Sequence, residues 1–149
     1  MFHRIVHAND GSENSMSALH SAIELASLAQ ARLDVILVEE ISPRSGMISD
    51  VAERNAAERR RLAKRKSLAE RAAERRGITL ETHVFVGHPV PHIVQFTIER
   101  NCDLLVIGAT EHADLWEHLF GRRSDRMIHK VGCSVLIVRE GGHGALSLS

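Results

Sequence analysis

"IGATEHADLWEHLFGRRSD", Ile107 to Asp125, decides the reading of this chain. It leaves an apolar run through Gly108, continues for a dozen residues, and meets a second glycine, Gly121, just before a segment of helical character, Ser124 to Lys130. A strand ending in glycine and a helix beginning after one is how an α/β protein brings backbone N–H groups to a phosphate. Two residues disturb the pattern. Glu111 stands where such a loop wants a small neutral residue, and Arg122 follows Gly121.

The flanks agree with an α/β reading. "DLLVIGA" (Asp103 to Ala109) and "SVLIVRE" (Ser134 to Glu140) are short apolar strands, as is Arg4 to Ala8. "LDVILVEE" (Leu33 to Glu40) is apolar throughout its centre, as a strand covered on both faces must be. "ITLETHVFVG" (Ile78 to Gly87) alternates, which suits a half-buried or edge strand. Between the strands lie helical segments. In Glu13 to Ala31, Met16, Leu19, Ile23 and Ala26 share one face, with Ser12 or Asp10 placed to cap it. Asp50 to Arg76 is long and charged and stops at Gly77. "HPVPHIVQFTIERN" carries prolines in its first turn, where they are tolerated. Five strands therefore alternate with four helices, which predicts one parallel sheet with helices on both faces. One domain is expected over residues 1–140, with 141–149 as a loose tail.

Composition narrows the class. The 149 residues are 44% hydrophobic and 26% charged, with a formal net charge of zero. No global field points to nucleic acid, and no apolar run reaches the ~20 residues of a membrane span. The start, "MFHRIVHANDGS", has no apolar core of a secretion signal. Two cysteines, Cys102 and Cys133, are too few for a disulfide framework and read as buried free thiols. A cytoplasmic protein is expected.

Ligands of doubly wound sheets sit beyond the carboxyl ends of the strands, where the winding reverses. "ANDGS" after the first strand and "GATE" after the fourth compete for that place. The dinucleotide pattern G-x-G-x-x-G and the P-loop G-x-x-x-x-G-K-[ST] are both absent. No lysine is therefore placed for nucleotide hydrolysis. No G-x-S-x-G elbow is present, so no catalytic residue is assigned. The ten histidines and two cysteines have no zinc spacing, and no metal is expected.

Together "DGS" after the first strand, "CDLLVIGA" and "CSVLIVRE" resemble the universal stress protein family, over almost the whole chain from about His3 to Arg139. Nucleotide-binding members carry G-x-x-G-x(9)-G-[ST]. Here the spacing is kept by Gly108, Glu111, Gly121 and Arg122, but Glu111 and Arg122 depart from the pattern. The resemblance implies a flavodoxin-like fold with strand order 3-2-1-4-5. It also implies a site for an adenine nucleotide (ATP, ADP or AMP), with or without Mg²⁺. Carried over by position, Asp10 would face the adenine or ribose and Val38 would offer backbone bonds to adenine. Gly108, Ala109, Gly121, Arg122, Arg123 and Ser124 would hold the phosphates. The resemblance further implies a homodimer paired through Val135, Leu136, Ile137 and Val138.

Glu111 and Arg122 leave three readings open. A carboxylate about 4 Å from a phosphate charge costs up to a few kcal/mol at an effective dielectric near 20. Glu111 could point to solvent while Arg122 takes over from the hydroxyl, since guanidinium suits phosphate. It could pair with Arg122 and close an empty site. It could help hold a divalent cation. Within the same loop, Leu115, Trp116, Leu119 and Phe120 have helical spacing, so Trp116 either covers a ligand or anchors the loop.

The helix from Glu53 to Arg76 carries ten Lys or Arg against four Glu. It could touch an acidic protein partner, still unknown, an anionic membrane or nucleic acid, but it has no interleaved aromatics to stack on bases, and a solvated face is the simpler reading. The expected role is a nucleotide-binding sensor or regulator without strong catalysis. The alternatives are a dimeric interaction module with a closed site and a slow ATPase.

Overall fold

The computed structural model describes residues 1–39, 48–87, 89–109 and 131–139. Five strands, β1 (Arg4–Asn9), β2 (Arg32–Glu39), β3 (Leu80–Val86), β4 (Leu104–Gly108) and β5 (Ser134–Val138), form one sheet in the order β3-β2-β1-β4-β5. Every pairing is parallel. Among the described residues three helices connect β1 to β4 in turn: α1 (Glu13–Ala29), α2 (Ile48–Glu74) and α3 (Pro89–Glu99). This is the strand order expected of the flavodoxin-like fold. The helix read at Ser124 to Lys130 and the tail 141–149 lie outside the described residues.

The sheet is buried on both faces, which explains why β2 and β4 read as continuous apolar runs. On one face Ile5, Leu33, Val35, Leu37, Leu104 and Val106 pack against Leu19, Ala22, Ile23 and Ala26 of α1 and Ala69 and Ala73 of α2. On the other, Val6, Ile36, Leu105 and Ile107 pack against Val90, Ile93 and Phe96 of α3. Each large aliphatic side chain so buried contributes about 1.5–3 kcal/mol. The edge position of β3 is as its alternation predicted, and Val84 and Val86 remain exposed there.

Local chemistry sets the helix ends. Ser12 is the N-cap of α1, its side chain accepting from the Ser15 N–H. After α2, the Ile78 N–H donates to the Ala73 carbonyl at 2.9 Å and the Gly77 N–H to the Glu74 carbonyl at 3.0 Å, a closure that stops the helix. The apolar stripe of α2 is shorter than its letters suggest. Ala69 and Ala73 are buried, whereas Ala56 and Ala63 face solvent.

Both cysteines are free thiols. Cys102 is buried, as expected, but Cys133 is only half-buried. Burial, with the nearby Asp34 charge, pushes the Cys102 thiol up to about 11. Burial also raises that of Cys133. Neither is a ready thiolate. Among the described residues no helix is long and apolar enough to cross a membrane.

Candidate functional site

The sheet order reverses between β1 and β4, and it is beyond the carboxyl ends of strands at such a reversal that doubly wound sheets leave a crevice for ligands. Ala8 pairs with Ile107, so the next residues on each strand bring Asn9–Asp10 level with Gly108–Ala109. The two loops are tied together by α1. Asn14, in its first turn, donates from Nδ2 to the Ala109 carbonyl.

Gly108 is fixed by that approach. A Cβ on Gly108 would lie 2.5 Å from the carbonyl carbon of Asn14 and 2.7 Å from the Ser15 nitrogen. Only glycine lets β4 and the first turn of α1 come this close. The glycine therefore has a structural cause inside the fold, independent of any ligand.

Asp10 braces the first loop. Its Oδ1 accepts from the Ser12 N–H at 3.0 Å and from the Ser15 hydroxyl, while its own N–H donates to Ser15 Oγ at 3.1 Å. Gly11 follows with a φ of +85°, a conformation that favours glycine. Desolvation alone would push the Asp10 carboxyl up. Hydrogen bonds from Ser12 and Ser15 and the charge of Arg65 outweigh it and hold the carboxyl below its ordinary value. Asp10 is exposed and ionised at neutral pH, so it suits hydroxyl or amino donors and opposes a phosphate at the same spot.

Val38 is buried near the end of β2, level with Asp10. Its carbonyl already faces a donor, Arg65 Nη1 of α2, at 3.4 Å. The same nitrogen lies 3.0 Å from Glu39 Oε1. Arg65 Nη2 donates to the Asn9 carbonyl at 2.5 Å and to Asn9 Oδ1 at 3.0 Å. The guanidinium thus spans the carboxyl ends of β1 and β2. The other basic residues around it, Arg61, Lys64 and Lys66, are exposed. Most of the basic face of α2 is solvated, and Arg65 is turned in.

Behind Asn9 lies His7, fully buried in β1. Its Nδ1 sits 3.0 Å from the Val106 carbonyl, and its Nε2 lies 3.2 Å from Asn9 Nδ2. A carbonyl only accepts, so Nδ1 carries the proton and Nε2 accepts from Asn9. This is a neutral imidazole, and burial lowers its pKa to about 4. A polar chain therefore runs from Arg65 through Asn9 and His7 to β4. Sequence reasoning missed Arg65, Asn9, His7 and Glu39. The available signal was the pair of polar residues His7 and Asn9, two apart on one face of a central strand.

At the opposite end of the sheet, Asp34, Glu81 and His83 come within reach of one another. His83 Nε2 lies 3.1 Å from Asp34 Oδ1, Arg4 Nε 3.8 Å from Asp34 Oδ2 and Arg32 Nη2 3.5 Å from Glu81 Oε1. Each carboxylate lies within ion-pairing range of an arginine, although Arg4 Nε and Asp34 Oδ2 are buried without a hydrogen-bond partner among the described residues.

Of the residues expected to contact a ligand, the fold gathers Asp10, Val38, Gly108 and Ala109 at one crevice. Gly121, Arg122, Arg123 and Ser124 lie outside the described residues, as do Glu111 and Trp116. In β5, Val135, Ile137 and Val138 are half-buried and Leu136 is 36% exposed, on a strand whose outer edge has no neighbour among the described residues.

Comparison with known proteins joins this geometry to a family. The universal stress protein family profile matches residues 1–139. Universal stress protein YxiE of Bacillus subtilis is 33% identical over 149 residues, covering 93% of this chain and 100% of that protein. Universal stress protein MJ0531 of Methanocaldococcus jannaschii is 29% identical, covering 94% of this chain and 84% of that protein. Among solved structures, a universal stress protein in complex with cAMP superposes with a TM-score of 0.65 at 24% identity, over 92% of this chain and 96% of that one. The Archaeoglobus fulgidus universal stress protein in complex with dAMP gives 0.57 at 23% identity, over 93% and 98%. These likenesses share the fold described above. The chain belongs to the universal stress protein family.

Proposed function

We propose that this protein binds an adenine nucleotide in the crevice between β1 and β4 and acts as a sensor or regulator, not as a catalyst. The observation that carries the reading is the placement of ionised Asp10 beside Gly108 and Ala109 at the point where the sheet order reverses. A fixed carboxylate there accepts from ribose hydroxyls or an amino group. The sequence offers Arg122, Arg123 and Ser124 for phosphates, with Mg²⁺ as an optional companion. Family members of the same fold in complex with cAMP and dAMP support an adenine ligand. The outer edge of β5 suits pairing with a second copy through Val135, Leu136, Ile137 and Val138.

The second reading, an interaction module with a closed site, is favoured by Arg65, whose guanidinium already engages the Val38 and Asn9 carbonyls.

Calorimetric titration with ATP and Mg²⁺ tests the proposal, beside a Glu111→Gly, Arg122→Ser double variant. Micromolar binding by the wild type supports it, with Arg122 replacing the hydroxyl. Binding by the double variant alone means that these two residues shut the site and the protein acts through partners.

A further inference from the structure

The Arg65 guanidinium is held entirely by acceptors: the Asn9 carbonyl, Asn9 Oδ1, the Val38 carbonyl and the Glu39 carboxylate. No donor faces it in this set. The acceptors lie at the carboxyl ends of β1 and β2, beside Asp10 and over Gly11, where a Cβ would come within 3.4 Å of Arg65 Nε. This places a side chain from α2 against one wall of the crevice. The Arg65 side chain is only 16% exposed.

The fit is incomplete. Nη1 and Nη2 are satisfied, but Nε is buried with no hydrogen-bond partner among the described residues. A buried unpaired donor is a standing cost. Burial also disfavours the charged guanidinium, which Glu39 and Asp10 offset in part. Arg65 lies among solvated basic residues of α2, so a rotamer turned outward would hydrate its charge fully.

We propose that Arg65 is a displaceable occupant of the crevice, standing where the amino edge of a base would donate, and that a nucleotide binds by evicting its guanidinium from the Asn9 and Val38 carbonyls. The inference rests on the nucleotide reading above and deepens it. An acceptor-only wall accepts the exocyclic amino group of adenine. It repels the carbonyl that replaces that group in hypoxanthine, because two acceptors then face each other. Arg65 therefore sets both affinity and base preference, and couples the basic helix α2 to ligand binding.

The test is calorimetric titration of the wild type, Arg65→Ala and Arg65→Lys with ATP and with ITP. Arg65→Ala should bind ATP about tenfold more tightly than the wild type, and should gain little for ITP. Low, non-denaturing guanidinium should compete with ATP in Arg65→Ala by refilling the vacated place. Arg65→Lys, with one point donor in place of the fork, should fall between the two, and it decides the matter if the alanine variant does not fold. ATP affinity unchanged or weakened in Arg65→Ala would overturn the proposal while leaving nucleotide binding intact. An equal gain for ITP would overturn it as well. Binding by Arg65→Ala but not by the wild type would support occupancy and assign the resting chain a closed site. If no form binds ATP, the nucleotide reading fails and the occupant proposal fails with it.

Discussion

Arg65 clamps Asn9 twice: Nη2 reaches its carbonyl at 2.5 Å and its side-chain oxygen at 3.0 Å. One residue of α2 thereby grips the carboxyl end of the central strand, and Asn9 passes the contact on to His7. The two residues belong to one network. Arg65→Ala and Asn9→Ala should therefore not add. A double-mutant cycle in urea is expected to give a coupling of about 1 kcal/mol or more. Additivity within error would mean that the clamp contributes nothing to folding.

His7 makes stability depend on pH. The unfolded histidine titrates near 6.5, whereas the folded one is pushed down to about 4. Between these values the unfolded chain binds more protons, so stability is full above pH 6.5 and is lost as pH falls toward 4. The loss due to this group is about 2 kcal/mol by pH 5 and about 3 kcal/mol when complete. Urea midpoints of the wild type and His7→Gln at pH 7 and pH 5 check the sign. The variant should show the shallower pH dependence.

Gly108→Ala should destabilise the fold by about 3 kcal/mol, because the new methyl meets backbone atoms of Asn14 and Ser15 that cannot turn aside. Thermal melting without any ligand measures it. Unchanged stability would mean that α1 and β4 can separate at no cost, and the glycine would then need a ligand to explain it.

Asp34 is buried and serves both Arg4 and His83. Asp34→Ala strands these partners and should cost about 3 kcal/mol. Because arginines supply the countercharge, treating the wild type with a chelator should leave its melting temperature unchanged. A fall on chelation would show a cation in the Asp34, Glu81 and His83 group.

Much of this fold was legible in the sequence because it follows from apolar periodicity. Leu19, Ile23 and Ala26 mark the buried face of α1, and the run Val35 to Val38 marks a strand with two covered faces. Asp10, Val38, Gly108 and Ala109 were named from motif and position, and the fold places them together at the carboxyl end of the sheet. Arg65 was not, because it is one of ten cations on a helix that reads as solvated, and its partner Asn9 is fifty-six residues away. The Asp34–His83 contact was hidden for a similar reason: it appears only once the register pairs Asp34 with Glu81 and Ile36 with His83. Gly108 was read as part of a ligand loop, whereas the demand for a glycine there comes from the first turn of α1.

The most direct test of nucleotide binding in the β1–β4 crevice is a ¹H–¹⁵N NMR titration of the wild type with ATP. Saturating shifts at the amides of Gly11, Val38 and Ala109, accompanied by the Arg65 Nε–H resonance, are the expected result. No shifts, or shifts confined to the amino end of the sheet around Asp34 and His83, would contradict it.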